Sequence, residues 1–308
     1  MAPPLLRIGT RGSPLALVQA DELKRRLAAA HAPLAAPGAI DIVAIRTSGD
    51  RAGERPLAEE GGKGLFTKEI EEALFDGRID VAIHSMKDML ATLPRGLAIA
   101  ACLPREDPRD ALLSPRANSL AALAKGARLG TASLRRKALA LHVRPDLNIV
   151  PLRGNVGTRL AKLAAGDADA TILAAAGLKR LGLTDKITAM LPPNEMLPAP
   201  AQGILAVEIR NDDTRARDLL APLDHAETAA CAAAERAFLA ALDGSCRTPI
   251  AALATVAGGR LTLDAAIVSP DGSKLHRMRR DGGAADAAAL GHDAGAELKA
   301  RSGPDFFA

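Results

Sequence analysis

What most constrains the fold of this 308-residue chain is an alternation, across its first two-thirds, of short aliphatic runs with capped amphipathic stretches. Residues 5–9 read as a strand and 14–30 as a helix. Ser13 followed by Pro14 is a good helix start, because the hydroxyl can accept from a free first-turn amide and proline has no amide to satisfy. A strand at 40–46, a long polar loop at 47–62, a helix at 65–75 stopping at Gly77, and a strand at 81–84 come next. The alternation resumes with a strand at 128–130, a helix from Leu134, a strand at 148–151, a helix at 156–165 and a strand at 170–173. Repetition of this kind builds helix-covered, mainly parallel sheets, so two α/β units are expected. The charged, proline-containing stretch 104–108 and the four prolines of 192–200 are the candidate crossings between them.

Beyond Glu227 the character changes. An alanine-rich helix to about Leu242, a loop at 244–249, strands at 250–256 and 261–268, a turn at Asp271-Gly272 and a helix at 284–301 predict a small α+β third domain. A hydrophobic content of 48% supports a sizeable core, yet no apolar run approaches the roughly 18 to 20 residues of a membrane span. The first residues lack a signal-peptide pattern, so a soluble cytoplasmic protein is expected. Three cysteines, Cys102, Cys231 and Cys246, show no CxxC spacing, which argues against a disulfide framework and a thiolate zinc site. Forty Lys plus Arg against 36 Asp plus Glu give a modest +4, and with no Trp, no Tyr and five Phe there are few platforms for stacking bases. Nucleic-acid recognition is accordingly disfavoured.

Five clusters carry possible chemistry. Gly9-Thr10-Arg11-Gly12-Ser13 joins a strand to a helix whose free amides suit an anion, although an ordinary turn with a solvated arginine explains it too. Gly61-Gly62-Lys63-Gly64-Leu65-Phe66 fails the P-loop pattern, with Leu57 where a glycine belongs and Gly64 where Ser or Thr belongs, and reads as a glycine-rich loop. The strand ending in His84-Ser85-Met86-Lys87-Asp88 delivers a cation and a carboxylate at the carboxyl edge, where open α/β sheets place ligands; a surface ion pair is the bland alternative. His84 reads as a packed strand residue. Thr131, Ser133, Arg135, Arg136 and Lys137 open one helix, and Arg153-Gly154-Asn155 with Arg159 the next. Planar, permanently charged arginines at neighbouring strand ends suit a polyanionic ligand. Finally, Cys246 in Gly244-Ser245-Cys246-Arg247-Thr248-Pro249 has an arginine neighbour that favours thiolate, making it a candidate nucleophile or attachment point, whereas Cys102 and Cys231 read as small core residues.

In order along nearly the whole chain, TRGS at 10–13, GGKGLF at 61–66, HSMKD at 84–88, TASLRR at 131–136, RGN at 153–155 with Arg159, and GSCRTP at 244–249 resemble the porphobilinogen deaminase (hydroxymethylbilane synthase) family. The resemblance implies an α/β protein of three domains: two lobes like those of periplasmic binding proteins, at 1–103 with 199–221 and at 104–198, and a C-terminal α+β domain at 222–308. It implies stepwise deamination and head-to-tail condensation of four porphobilinogen molecules into a linear tetrapyrrole, primed by a dipyrromethane cofactor in thioether linkage to Cys246. Each pyrrole ring brings two carboxylates, which gives the arginines their purpose. By resemblance, Ser85, Lys87, Thr131, Ser133, Arg135, Arg136 and Arg159 bind the cofactor. Arg11, Ser13, Phe66, Arg153, Arg180 and Gln202 bind substrate. Asp88 is the implied catalytic acid/base, stabilising the azafulvenium cation left when ammonia departs. No metal is implied. A monomer handing its product to uroporphyrinogen-III synthase is expected, without nucleic-acid or membrane partners. Three positions depart from the family pattern: Ala132 replaces serine, Met89-Leu90 replaces Val-Pro, and Ala201 replaces glycine.

A two-lobed solute-binding or ligand-sensing module without catalysis shares this architecture and is the chief rival. Against it stand the third domain, its loop cysteine, and the aspartate beside a lysine at a strand end.

Overall fold

A computed structural model describes residues 4–51, 64–244, 248–303 and 305–307, so Cys246 and the Gly61-Gly62-Lys63 segment lie outside the described residues. The chain divides into two compact units, Met1–Arg105 with Ile204–Ala229 and Glu106–Gly203 with Ala230–Ala308. In the first, β1 (Leu6–Arg11) enters α1 (Pro14–Ala30) through Ser13, whose hydroxyl accepts from Ala16 N at 3.3 Å. There follow β2 (Ile40–Ile45), the short α2 (Ser48–Arg51), α3 (Lys68–Phe75), β3 (Val81–Ser85) and β4 (Leu97–Cys102).

The second unit opens with β5 (Asp110–Leu113), β6 (Arg128–Gly130) and α4 (Leu134–Val143), then β7 (Asn148–Val150), α5 (Val156–Ala164), β8 (Ala170–Ala174), α6 (Ala175–Arg180) and β9 (Ala189–Met190). The chain then returns to the first unit as β10 (Leu205–Arg210) and α7 (Thr214–Leu220). Helix α8 (Ala226–Ala241) leads onward to β11 (Ile250–Ala257), β12 (Arg260–Val268), β13 (Leu275–Gly283) and α9 (Ala287–Ser302).

Both five-stranded sheets are built alike, in the orders β2-β1-β3-β10-β4 and β7-β6-β8-β5-β9. Three parallel strands lie together, and one antiparallel strand, β10 or β5, separates them from the edge strand. This is the paired-lobe α/β plan expected from the alternation. Leu6, Ile8, Leu23, Leu27, Val207 and Ile209 fill the first core, where each buried aliphatic side chain stabilises by roughly 1.5–3 kcal/mol. The three-stranded sheet β11-β12-β13 forms the centre of the small third domain, with one face under α8 and α9 around Phe238, Leu263 and Leu298. Ala251, Ala266 and Val268 join Leu112, Leu129 and Ile172 in the lobe core, which is why lobe and third domain form one compact unit. Helix α9 approaches α8 through glycine: a Cβ on Gly291 would stand 2.0 Å from the Ala234 carbonyl oxygen.

Several elements differ from expectation. The polar loop 47–62 begins with α2, and α3 starts at Lys68 because Gly64, at φ +79°, sits in a turn. Strands β4, β5, β9 and β10 were not foreseen. The return strand carries Glu208, fully buried, in the middle of a sheet, which breaks the apolar pattern that would mark it. Cys102 and Cys231 are buried, as read. Among the described residues no helix is long and apolar enough to cross a membrane.

Candidate active site

In the first unit, the carboxyl ends of the parallel strands β1 and β3 present the singled-out side chains. Ser13 is spent partly on capping α1. Arg11 does not stand free: it pairs with Asp50 through Nε and Nη2, and its guanidinium lies 4.2 Å from the centre of the Phe66 ring. Burial alone would raise the Asp50 carboxyl, but hydrogen bonds from Arg11 and Thr47 hold it below the ordinary carboxylate range. Thus Arg11 and Phe66 are brought together, and Asp50 is a partner the sequence reading missed. Ser85 exchanges hydrogen bonds with the buried Gln19 of α1, at 2.8 Å from Gln19 Nε2. After it, residues Met86–Asp88 form one 3-10 turn, closed by Met89 N donating to Met86 O at 3.1 Å. That turn lifts Lys87 and Asp88 off the strand end, both half-buried. The Asp88 carboxylate has no hydrogen-bond or ion-pair partner among the described residues, so its acceptor capacity is open to a ligand.

Behind this turn lies a buried polar group. His84 Nε2 is 3.1 Å from Glu208 Oε2, with side chains 4% and 0% exposed. The approach meets ion-pair range but not hydrogen-bond geometry, leaving both Glu208 oxygens without a hydrogen bond. Burial, reinforced by the Glu208 charge, pushes the nearby Glu71 carboxyl up. His84 is therefore more than the packed strand residue expected from sequence.

In the second unit, the matching strand ends carry hydroxyls and arginines at helix starts. Thr131 N donates to Val150 O and Thr131 Oγ1 accepts from Ser133 N at 3.1 Å, while Ser133 caps α4. Asn155 caps α5, accepting from Thr158 N at 2.9 Å. Gly154 before it, at φ +109°, tolerates no side chain, since a Cβ would meet Thr158 at 2.7 Å. Arg153 and Arg159 flank this cap, each partly buried.

The arginine pair of α4 is engaged from within the protein. Both side chains are buried and both are engaged by Asp110, a fully buried residue at the start of β5. Arg135 Nη2 meets Oδ2 at 2.7 Å and its Nη1 donates to Leu197 O at 2.7 Å, while Arg136 reaches Oδ1 through Nε at 3.1 Å and Nη2 at 2.8 Å. Gln202, expected at the substrate, instead donates to the same Oδ1 at 3.0 Å and to Pro108 O at 2.8 Å. Arg180 likewise donates to Gly203 O at 3.2 Å. Burial opposes an ionised Asp110, yet the charges and hydrogen bonds of the two arginines overcome it and hold the carboxyl far below its ordinary range.

Comparison with known proteins shows the family. A domain model described as "Porphobilinogen deaminase, dipyromethane cofactor binding domain" matches residues 6–218, and "Porphobilinogen deaminase, C-terminal domain" matches 229–300. The chain belongs to the porphobilinogen deaminase family. Curated porphobilinogen deaminases from Nitrobacter winogradskyi and Nitrobacter hamburgensis are each 55% identical over 98% of this chain and 95% of their own length. A periplasmic substrate-binding protein of an ABC transporter from Coxiella burnetii is 17% identical, with a TM-score of 0.44 over 75% of this chain and 96% of its own. That last likeness is too slight to carry an argument. The enzyme assignment, the three-domain α/β plan and the dipyrromethane cofactor expected from sequence stand with the family. The residues present fit a polycarboxylate cofactor of this kind: Arg136 keeps Nη1 without an acceptor among the described residues, in the first turn of a helix that the Ser133 hydroxyl caps.

Proposed function

We propose that this chain catalyses the stepwise deamination and head-to-tail condensation of four porphobilinogen molecules, with Cys246 as the cofactor attachment point and Asp88 as the catalytic acid/base. The observation that carries the assignment of Asp88 is its unpartnered carboxylate, raised on a tight turn beside Lys87 at a parallel-strand end. When bound, dipyrromethane supplies the free pyrrole α-carbon from which the product chain is extended. Ser85, Lys87, Thr131, Ser133, Arg136 and Arg159 bind its carboxylates; Arg11, Ser13, Phe66 and Arg153 bind those of incoming porphobilinogen. Arg180 and Gln202 support the return crossing through Gly203 O and Pro108 O. Asp88 accepts pyrrole N–H groups and so stabilises the cation formed as ammonia leaves porphobilinogen; it then takes the proton released when aromaticity is restored. Asp50 holds Arg11 until a substrate carboxylate competes for it. The enzyme acts in the cytoplasm as a monomer and releases its product to uroporphyrinogen-III synthase.

Intact mass of the purified, denatured chain, followed by peptide mapping, tests the attachment: an increment of two linked pyrroles must map to Cys246. Asp88→Asn should lower turnover by about 10²-fold or more with the cofactor increment retained. Normal turnover in that variant removes the role assigned to Asp88.

A further inference from the structure

Two guanidiniums and one carboxylate are buried together at the carboxyl edge of the second five-stranded sheet. Asp110 lies opposite Ala174 at the end of β8, so its side chain sits where the parallel strands β6, β7 and β8 terminate. The three charges do not balance: Arg135 and Arg136 against Asp110 leave a surplus of one positive charge. Nor are the two arginines used alike. Arg135 divides its terminal nitrogens between Leu197 O and Asp110, and its Nε is buried without an acceptor. Arg136 turns its Nε and Nη2 toward Asp110 and keeps Nη1 unengaged among the described residues.

A single aspartate–arginine pair would fix the guanidinium of Arg136 but neutralise it, leaving little attraction for an arriving carboxylate. A second arginine resolves that conflict. We propose that Arg135 and Asp110 are positioning residues behind Arg136: Asp110 holds one edge of its guanidinium, and Arg135, without touching the ligand, offsets the Asp110 charge. Arg136 is thereby held in place and still carries a net positive charge for a carboxylate of the pyrrole cofactor. This rests on the assignment of Arg136 to a cofactor carboxylate, and departs from the expectation that Arg135 binds there too.

The test follows cofactor loading by intact mass, titrating unloaded full-length chain with porphobilinogen, with the thermal midpoint of each variant recorded in parallel. Arg135→Met removes the surplus and should raise the porphobilinogen concentration for half-loading by about tenfold. Arg135→Lys keeps the charge and should load within about threefold of the parent, because a charge role tolerates a point cation that bidentate ligand contact would not. The double variant Asp110→Asn/Arg135→Met restores one net positive charge and should recover most of the loss. Equal impairment in Arg135→Lys and Arg135→Met means that Arg135 touches the ligand and overturns the proposal. Failure of the double variant to recover overturns it as well, as does parental loading in Arg135→Met. Should Arg135→Met not fold, the lysine and double variants decide, the latter burying two fewer charges. Arg136→Met is the separate control: parental loading there would remove the underlying assignment of Arg136.

Discussion

Replacing Glu208 with methionine, a side chain of similar length, removes the carboxylate 3.1 Å from His84 Nε2 in the first unit. At that separation two unit charges attract by about 5 kcal/mol at an effective dielectric of 20. Desolvation of both groups opposes most of this, since neither side chain is more than 4% exposed. Breaking a buried pair from one side costs about 3–5 kcal/mol. For a chain of this size that lowers the thermal midpoint by about 5–10 °C. Removing both partners, as His84→Leu/Glu208→Met, leaves no polar group stranded and should return stability to within about 1 kcal/mol of the parent. Urea and thermal unfolding of the parent, both single variants and the double give the coupling directly. A silent Glu208→Met, or a double variant whose loss equals the sum of the singles, would refute the claim that the two groups compensate each other. The cycle has a pH signature too. Glu71, held up by burial and by the Glu208 charge, favours the folded state most below the ordinary carboxylate range and loses that contribution as pH rises through its raised value. Without Glu208 that loss should shift to lower pH.

Asp110 has the opposite sign. Its depressed carboxyl contributes stability above the ordinary carboxylate pKa of about 4, and that contribution drains as pH falls toward the folded value. Below pH 4 the parent should therefore lose stability more steeply than Asp110→Asn, by up to about 1.4 kcal/mol per pH unit, in urea midpoints taken across that range. Ala201 stands at φ +61°, a left-handed conformation that costs a side chain about 1–2 kcal/mol, so Ala201→Gly should stabilise by about 0.5–1 kcal/mol after the added chain entropy. An unchanged or lower thermal midpoint would contradict it. Gly291→Ala drives a methyl group against the Ala234 carbonyl and should destabilise by about 1–3 kcal/mol, read from the same melts.

The parts legible in the sequence are those whose signal is local. Ser13, Ser133 and Asn155 announce their helices because a cap acts over three residues, and β3 and β8 announce themselves because a buried parallel strand needs a continuous apolar run. Strand β10 escaped because Glu208 interrupts that run, and its compensating partner His84 lies more than a hundred residues earlier. The same separation hides the internal partner of the arginines. At a helix start Arg135 looks available to a ligand, and nothing near it in the chain reveals that Asp110, 25 residues away, has taken it. The acceptors Pro108 O and Asp110 Oδ1 of Gln202 are hidden from the sequence for the same reason. That Lys87 and Asp88 stand just past the end of β3 is legible because one contiguous run of sequence sets their place.

The placement of β10 between β3 and β4 sets an order of events during synthesis. Until residue 210 has left the ribosome, β3 and β4 each lack the neighbour that satisfies their inner edges, and Val207 and Ile209 are missing from the first core. The N-terminal lobe, translated first, thus cannot be the first to close its sheet. Residues 106–203, closed by their own local strand pairs, can close their sheet while the earlier segment waits with two unpaired strand borders. A nascent chain stalled before residue 205 would accordingly present protease-sensitive N-terminal sequence and a sheet open to mispairing, and it is in that interval that the growing polypeptide depends most on chaperones.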